Sequence, residues 1–273
     1  MKLKIIFNKT YYIAIILFSF LLFSSCEDGK VNIFTIEDDA NLGKQIDAEI
    51  RSKPAEYPLY NFFEPNQYVQ NIVNEIINSP FVKYRSYFPY KVQILNDDKV
   101  VNAFCTPGGY IYVYTGLIKF LDNEATLAGV LGHEIAHAER RHGTNRMTKA
   151  YGIQVLLSIA LGNNPSMIEQ IAANLFSGLY LMKNSRDDEY ESDEYSFKYL
   201  QTTQWYPGAI KFFFEKVKKD ESSPFFEVLL STHPMPQDRL NAINKMILDN
   251  KIGEPNEMNL QSIKYKNFLK SLP

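Results

Sequence analysis

The segment Gly132-His133-Glu134-Ile135-Ala136-His137 constrains this chain more than any other. It sets two imidazoles four residues apart and a carboxylate beside the first. On an α-helix, positions i and i+4 share one face a turn apart, so both rings can bind one metal ion. Two neutral imidazole donors point most directly to zinc. Glu134 stands about 100° round the helix from His133, outside the pair but within reach of a water at the metal. The flanking residues read as a buried, capped helix. Asp122 or Asn123 is the N-cap candidate and Glu124 gives an acidic first turn. Leu127, Val130, Leu131, Ile135 and Ala138 repeat at helical spacing, so one stripe is buried with the histidines at its border. Gly143 is the natural closing residue after Arg140-Arg141-His142. His142 then opposes the dipole from the last turn, reason enough for it, and it is left out of the site.

The N-terminal residues stand apart from the fold. Lys2, Lys4 and Lys9 precede the apolar run Tyr11 to Phe23. Thirteen helical residues reach only about 20 Å, short of the roughly 30 Å bilayer core, so residues 1–25 read as a signal peptide and not a span. The run ends in Phe23-Ser24-Ser25-Cys26, which resembles a bacterial lipoprotein processing site, with phenylalanine where leucine is usual. The plainer reading is an ordinary secretory signal. Cleavage before Cys26 and acylation of its thiol would tether the body to a membrane through lipid.

Removing residues 1–25 takes away three lysines and no acids, so the formal net charge moves from −2 to −5. Nothing in that balance suggests nucleic acid, which would call for a basic stripe. With Cys26 in the anchor, Cys105 has no partner for an internal disulfide and reads as a small apolar core residue. After a tether over 26–37, residues 38–250 suffice for one domain, with 251–273 as a polar tail.

Periodicity predicts a mostly helical α+β body with a small sheet beside the motif helix. Helices are expected over 36–51, 66–78, 144–161, 166–182, 185–203, from Pro207, and near 237–249; strands over 91–95, 101–105 and 110–114. Pro107-Gly108-Gly109 reads as a turn. The apolar helix from Met167 to Met182 is a candidate cover for the cleft. A catalytic zinc takes a third protein ligand. The acidic helix Ser185 to Asp193 offers Glu189, Glu191 and Asp193, and spacing alone does not choose among them.

Three strings occur in a fixed order: Asn102 to Leu117 ahead of the His-Glu helix, the Ser-Arg-…-Glu-…-Asp helix after it, and Ser231-Thr232-His233-Pro234 with Arg239 last. Together they resemble the HtpX and CAAX prenyl endopeptidase family of zinc metallopeptidases over roughly residues 38–248, most closely its small lipid-anchored periplasmic members. The resemblance implies a zincin-like domain holding one Zn2+ through His133, His137 and Glu189. It implies Asp193 as the residue orienting a ligand histidine, and Glu134 as general base. His233 and Arg239 are implied at the cleft as donors to the developing oxyanion, with His233 also able to cap the metal in a resting state. It further implies that Tyr110–Tyr114 is an exposed sheet edge to which an extended peptide adds as a strand. Asn102, Ala103, Gly109, Tyr110, Ile111 and Tyr112 are then the candidate substrate-binding residues. The expected activity is hydrolysis of unfolded or misassembled envelope polypeptides, from a lipid anchor on the outer membrane facing the periplasm. The alternatives are a binding or chaperone lipoprotein that uses the cleft without turnover, and a metallohydrolase for a non-peptide substrate.

Overall fold

The computed structural model describes residues 26–27, 30–150, 158, 161–167, 184–219, 223–234 and 237–272. The expected signal peptide over 1–25 and nearly all of the candidate cover helix lie outside them.

A short pairing of Cys26–Glu27 (β1) with Lys30–Val31 (β2) opens the described chain. Ile36–Ser52 (α1) starts from a capping box between Thr35 and Asp38, and Phe63–Ile76 (α2) follows. Lys91–Leu95 (β3), Ala103–Cys105 (β4) and Tyr110–Tyr114 (β5) form the sheet, and Thr115–Phe120 (α3) leads into Glu124–Glu139 (α4), the motif helix. His142–Ala150 (α5), Arg186–Leu200 (α6) and Ile210–Lys218 (α7) come next. A 3-10 turn over Pro224–Phe226 precedes Glu227–Thr232 (α8), Gln237–Asp249 (α9), Glu257–Leu260 (α10) and Ser262–Leu269 (α11). The mostly helical α+β class is the one the periodicity indicated.

Sheet order departs from expectation. It runs β3-β5-β4, with β5 parallel to β3 and antiparallel to β4. Tyr110–Tyr114 is therefore the central strand, paired on both sides, and not an exposed edge. The outer side of β3 is partly taken by a bridge from Leu59. Three-residue β4 is the remaining edge, and it lies next to α4. Alternation along β5 does hold. Ile111 and Val113 enter the main core, while Tyr110, Tyr112 and Tyr114 pack towards α1, where the Tyr112 hydroxyl donates to Asp47 at 2.5 Å. Gly109, at φ +82°, turns the chain into β5 where a Cβ would meet the Tyr90 ring at 3.0 Å.

The motif helix is buried on every side, not along one stripe, because the sheet, α2, α6, α7 and the C-terminal helices all surround it. Its N-cap is Asn123, whose side chain accepts from the Thr126 amide at 2.9 Å. The predicted C-terminal glycine does not close it. Arg141 takes the left-handed conformation (φ 54°), and Gly143 lies inside α5 against Pro107. His142 is thus the first residue of the next helix, where a cation would oppose a favourable dipole, and the dipole argument for it fails.

Both presumed extensions are built into the body. Within the tether, Phe34 is buried and the Asn32 amide donates to Thr144. Within the tail, Tyr265 and Phe268 are buried. The Tyr265 hydroxyl donates to the Ile118 carbonyl at 2.6 Å, and Phe268 stacks on Tyr68 at 3.9 Å.

Candidate metal centre

The motif helix α4 and the acidic helix α6 meet through small residues. A Cβ on Gly132 would come within 2.9 Å of Ser196 Oγ, and that hydroxyl donates to the Gly129 carbonyl at 2.7 Å. This close approach sets the i, i+4 pair Glu189 and Asp193 opposite the i, i+4 pair His133 and His137. Ser185 caps α6 in a capping box with Asp188, which fixes where the helix starts and which face turns inward.

His133 Nε2 and His137 Nε2 lie 3.0 Å apart. Glu189 Oε2 is 3.4 Å from the first and Glu189 Oε1 is 3.3 Å from the second. His233 joins them, its Nδ1 3.1 Å from Glu189 Oε1, and one donor atom from each of the four groups lies within 4.8 Å of the others. All four side chains are buried. The expected trio of His133, His137 and Glu189 is thus brought together. Glu191 faces away, with Oε1 2.7 Å from Arg140 Nε and Oε2 3.0 Å from His142 Nε2.

The tautomers follow from what holds each ring from behind. His133 Nδ1 stands 2.9 Å from Asp193 Oδ1 and donates to it, which leaves the Nε2 lone pair facing the cluster. His137 Nδ1 stands 2.8 Å from His142 Nδ1. For His137 also to present its Nε2 lone pair inward, Nδ1–H donates to His142, and His142 Nε2–H donates in turn to Glu191. Such support behind a ligating histidine is what metal sites require. His142 is therefore part of the site, and the sequence reading missed it because the helix break at Arg141 leaves no periodic signal. Asn184, whose Nδ2 is 3.2 Å from both His137 Nε2 and His233 Nδ1, was missed as well.

Two lone pairs and a carboxylate converging in a buried pocket repel one another unless a cation lies among them. Where no metal is bound, the surroundings draw a proton to His133 instead. Burial works against charging His133, yet Glu189 and Asp193 outweigh it and push the ring up to about 9. Burial holds His137 well below its ordinary value, so it stays neutral. Burial would raise Glu189, but His233, Arg239 and His133 hold it well below the usual carboxylate range. Two imidazoles and a carboxylate are the borderline nitrogen and oxygen donors that zinc accepts, and these residues fit it.

Glu134 is buried beside the trio, with Oε1 3.7 Å from His233 Nε2, and burial raises its carboxyl despite His233 and His133. Arg239 is placed differently from its expected role. Its Nε and Nη2 donate to Asp193, each at 2.7 Å, its Nη1 pairs with Glu189 at 2.6 Å, and Nη1 also donates to the Pro234 carbonyl at 2.9 Å. At 2% exposure it clamps the two carboxylates and does not point at a reacting group. The Asn102 side chain is fully buried, and neither Nδ2 nor Oδ1 has a hydrogen-bond partner among the described residues. Cys105 donates to the Thr106 carbonyl at 3.3 Å, and burial together with Glu134 pushes its thiol up, the opposite of a nucleophile.

A helix-borne His-Glu-x-x-His pair joined by a glutamate from a second helix defines a metallopeptidase-type centre. The sequence profile of Peptidase family M48 matches residues 64–247, and the chain belongs to that family. Relatives include mitochondrial metalloendopeptidase OMA1 of Arabidopsis thaliana, 31% identical over 151 residues, covering 55% of this chain and 30% of the relative. The beta-barrel assembly-enhancing protease of Escherichia coli K12 is 30% identical over 173 residues, 58% of this chain and 35% of its own. Metalloprotease LoiP of the same strain is 30% identical over 179 residues, 64% and 66% of the two chains. The chain thus spans about a third of the length of the first two.

Proposed function

We propose that this protein is a zinc-dependent endopeptidase that hydrolyses extended segments of unfolded or misassembled cell-envelope polypeptides. The observation that carries the reading is the convergence of His133, His137 and Glu189 with Glu134 beside them and a supporting group behind each imidazole. Zinc held by those three residues supplies Lewis acidity toward the scissile carbonyl and toward water. Glu134 accepts a proton from the attacking water and delivers it to the leaving amine, so one water is consumed and an acid and an amine are released. His233 donates from Nε2 to the developing oxyanion, while Arg239 holds Asp193 and Glu189 in place.

The substrate strand is assigned to β4 and not to β5. Thr106 donates to Tyr110 and Tyr114 donates to Asn102, so by antiparallel alternation Ala103 and Cys105 turn their backbone groups to the outer side. An extended peptide pairing there runs alongside the motif helix and past Glu134. Main-chain pairing is tolerant of sequence, which suits unfolded chains. Relatives named as an assembly-enhancing protease and as metalloendopeptidases support the activity. The sequence pattern at Cys26 supports a lipid anchor, which we place in the outer membrane facing the periplasm. No helix among the described residues is long and apolar enough to cross a membrane. The mass of the mature chain tests the anchor, because an acyl increment on Cys26 must be present.

A latent resting state is favoured by one observation. His233 sits among the ligand atoms, and the cavity beside it is only about 40 Å³, room for a few waters and no peptide. Substrate entry then requires His233 to shift off the ligand atoms to the position from which it donates to the oxyanion. Wild type and Glu134→Gln, each loaded with zinc, should be compared on unfolded casein. Cleavage by wild type that falls about 10²–10⁴-fold in the variant supports the reading. Equal cleavage by both removes it.

A further inference from the structure

Three arginines follow the motif helix, and two are fully engaged. Arg140 pairs with Glu191, and Arg141 binds Asp39 and the carbonyls of Phe34 and Thr35. Arg146 differs. Its side chain is 19% exposed, yet Nε and Nη1 are buried and have no hydrogen-bond partner among the described residues. The nearest counter-charge, Asp188, stands 3.6 Å from Nη1, beyond hydrogen-bond length, and is already held by the Ser185 cap. A buried guanidinium with open donors is costly, and few protein features leave one so. Desolvation accordingly lowers its affinity for its proton.

Arg146 lines the same cavity as Glu134, His137, Asn184 and His233. At about 40 Å³ that space matches two or three waters or a single carboxylate group. Of the two acids that line this cavity, Asp39 pairs with Arg141 and Glu134 stands 3.7 Å from His233. The open donors are therefore directed at something the described residues do not provide. A planar guanidinium fork recognises a carboxylate in bidentate fashion.

We propose that Arg146 forms a carboxylate-binding subsite in the wall of the catalytic cavity, which selects polypeptides carrying an acidic side chain or a free chain end close to the cleaved bond. The substrate class rests on the endopeptidase reading, but the anion site does not.

The test uses the zinc-loaded full chain and one fluorogenic peptide sequence in which Glu or Gln is walked through the positions flanking the cleaved bond, with free or amidated C-termini. Wild type should cleave the Glu peptide about 10–100-fold more efficiently in kcat/KM than the Gln peptide at one position, or the free-ended peptide over the amide. The position shows whether a side chain or a chain end is read. In Arg146→Met that ratio should collapse towards one, and in Arg146→Lys, which keeps the charge without the fork, it should be intermediate. Absence of any acidic preference in wild type, or a preference unchanged in Arg146→Met, overturns the subsite. Should wild type cleave no peptide, fluorescence anisotropy of the same peptides on Glu134→Gln separates the two claims. Acid-dependent binding lost on adding Arg146→Met retains the subsite while the endopeptidase reading falls; acid-independent binding overturns the subsite.

Discussion

Glu189 and Glu191 stand two residues apart on α6, about 200° round the helix, and the protein uses them in opposite ways. Glu189 turns to the imidazoles, while Glu191 turns to Arg140 and His142. Composition alone gives no reason to prefer one, which is why spacing left the third ligand open and the family resemblance was needed to choose. His133 and His137 were legible because their relation is local, fixed by the turn of a single helix. His142 was not, because its role depends on a left-handed residue at Arg141 that starts a new helix and turns the ring back to His137. If His142 orients His137, His142→Ala should weaken zinc binding about 10–100-fold, as loss of a supporting partner typically does. Competition against a chelator measures this, and His142→Asn, which keeps a side-chain acceptor, should recover part of the loss.

At the scale of elements, the contact between α4 and α6 sets the geometry. Gly132 and Ser196 allow the helices to approach until two i, i+4 pairs face each other. Gly132→Val forces side-chain volume into the Ser196 position and should destabilise the fold by about 1–3 kcal/mol in thermal or urea unfolding. Combining it with Ser196→Gly should cost less than the sum of the two single changes, since both act on one contact. The alternation of Ile111 and Val113 against the three tyrosines could be read from the sequence, because a strand's faces are a local property. The order β3-β5-β4 could not, because which neighbour a strand pairs with depends on segments far away in the chain. That difference moves the open edge from Tyr110–Tyr114 to Ala103–Cys105.

Across the whole molecule, the C-terminal helices of the described chain close round the motif helix, and its N-terminal residues pack on α5. The last segment reads as a polar tail because its apolar residues are scattered among polar ones without a sustained period, although Tyr265, Phe268 and Leu272 are buried. Each buried ring contributes about 1.5–3 kcal/mol, so deleting residues 251–273 should lower Tm by roughly 10 °C. A deletion that melts with wild type would show that the segment only rests on the surface. The buried centre extends the same logic. An ion that binds the folded chain and not the unfolded one stabilises it, so a chelator should lower Tm as well.

The most direct measurement is the zinc content and zinc affinity of the purified chain beside Glu189→Ala and Glu191→Ala. The centre described here requires one zinc per wild-type chain, retention in Glu191→Ala with at most weakened affinity, and loss in Glu189→Ala. Zinc retained at full affinity in Glu189→Ala would contradict the account.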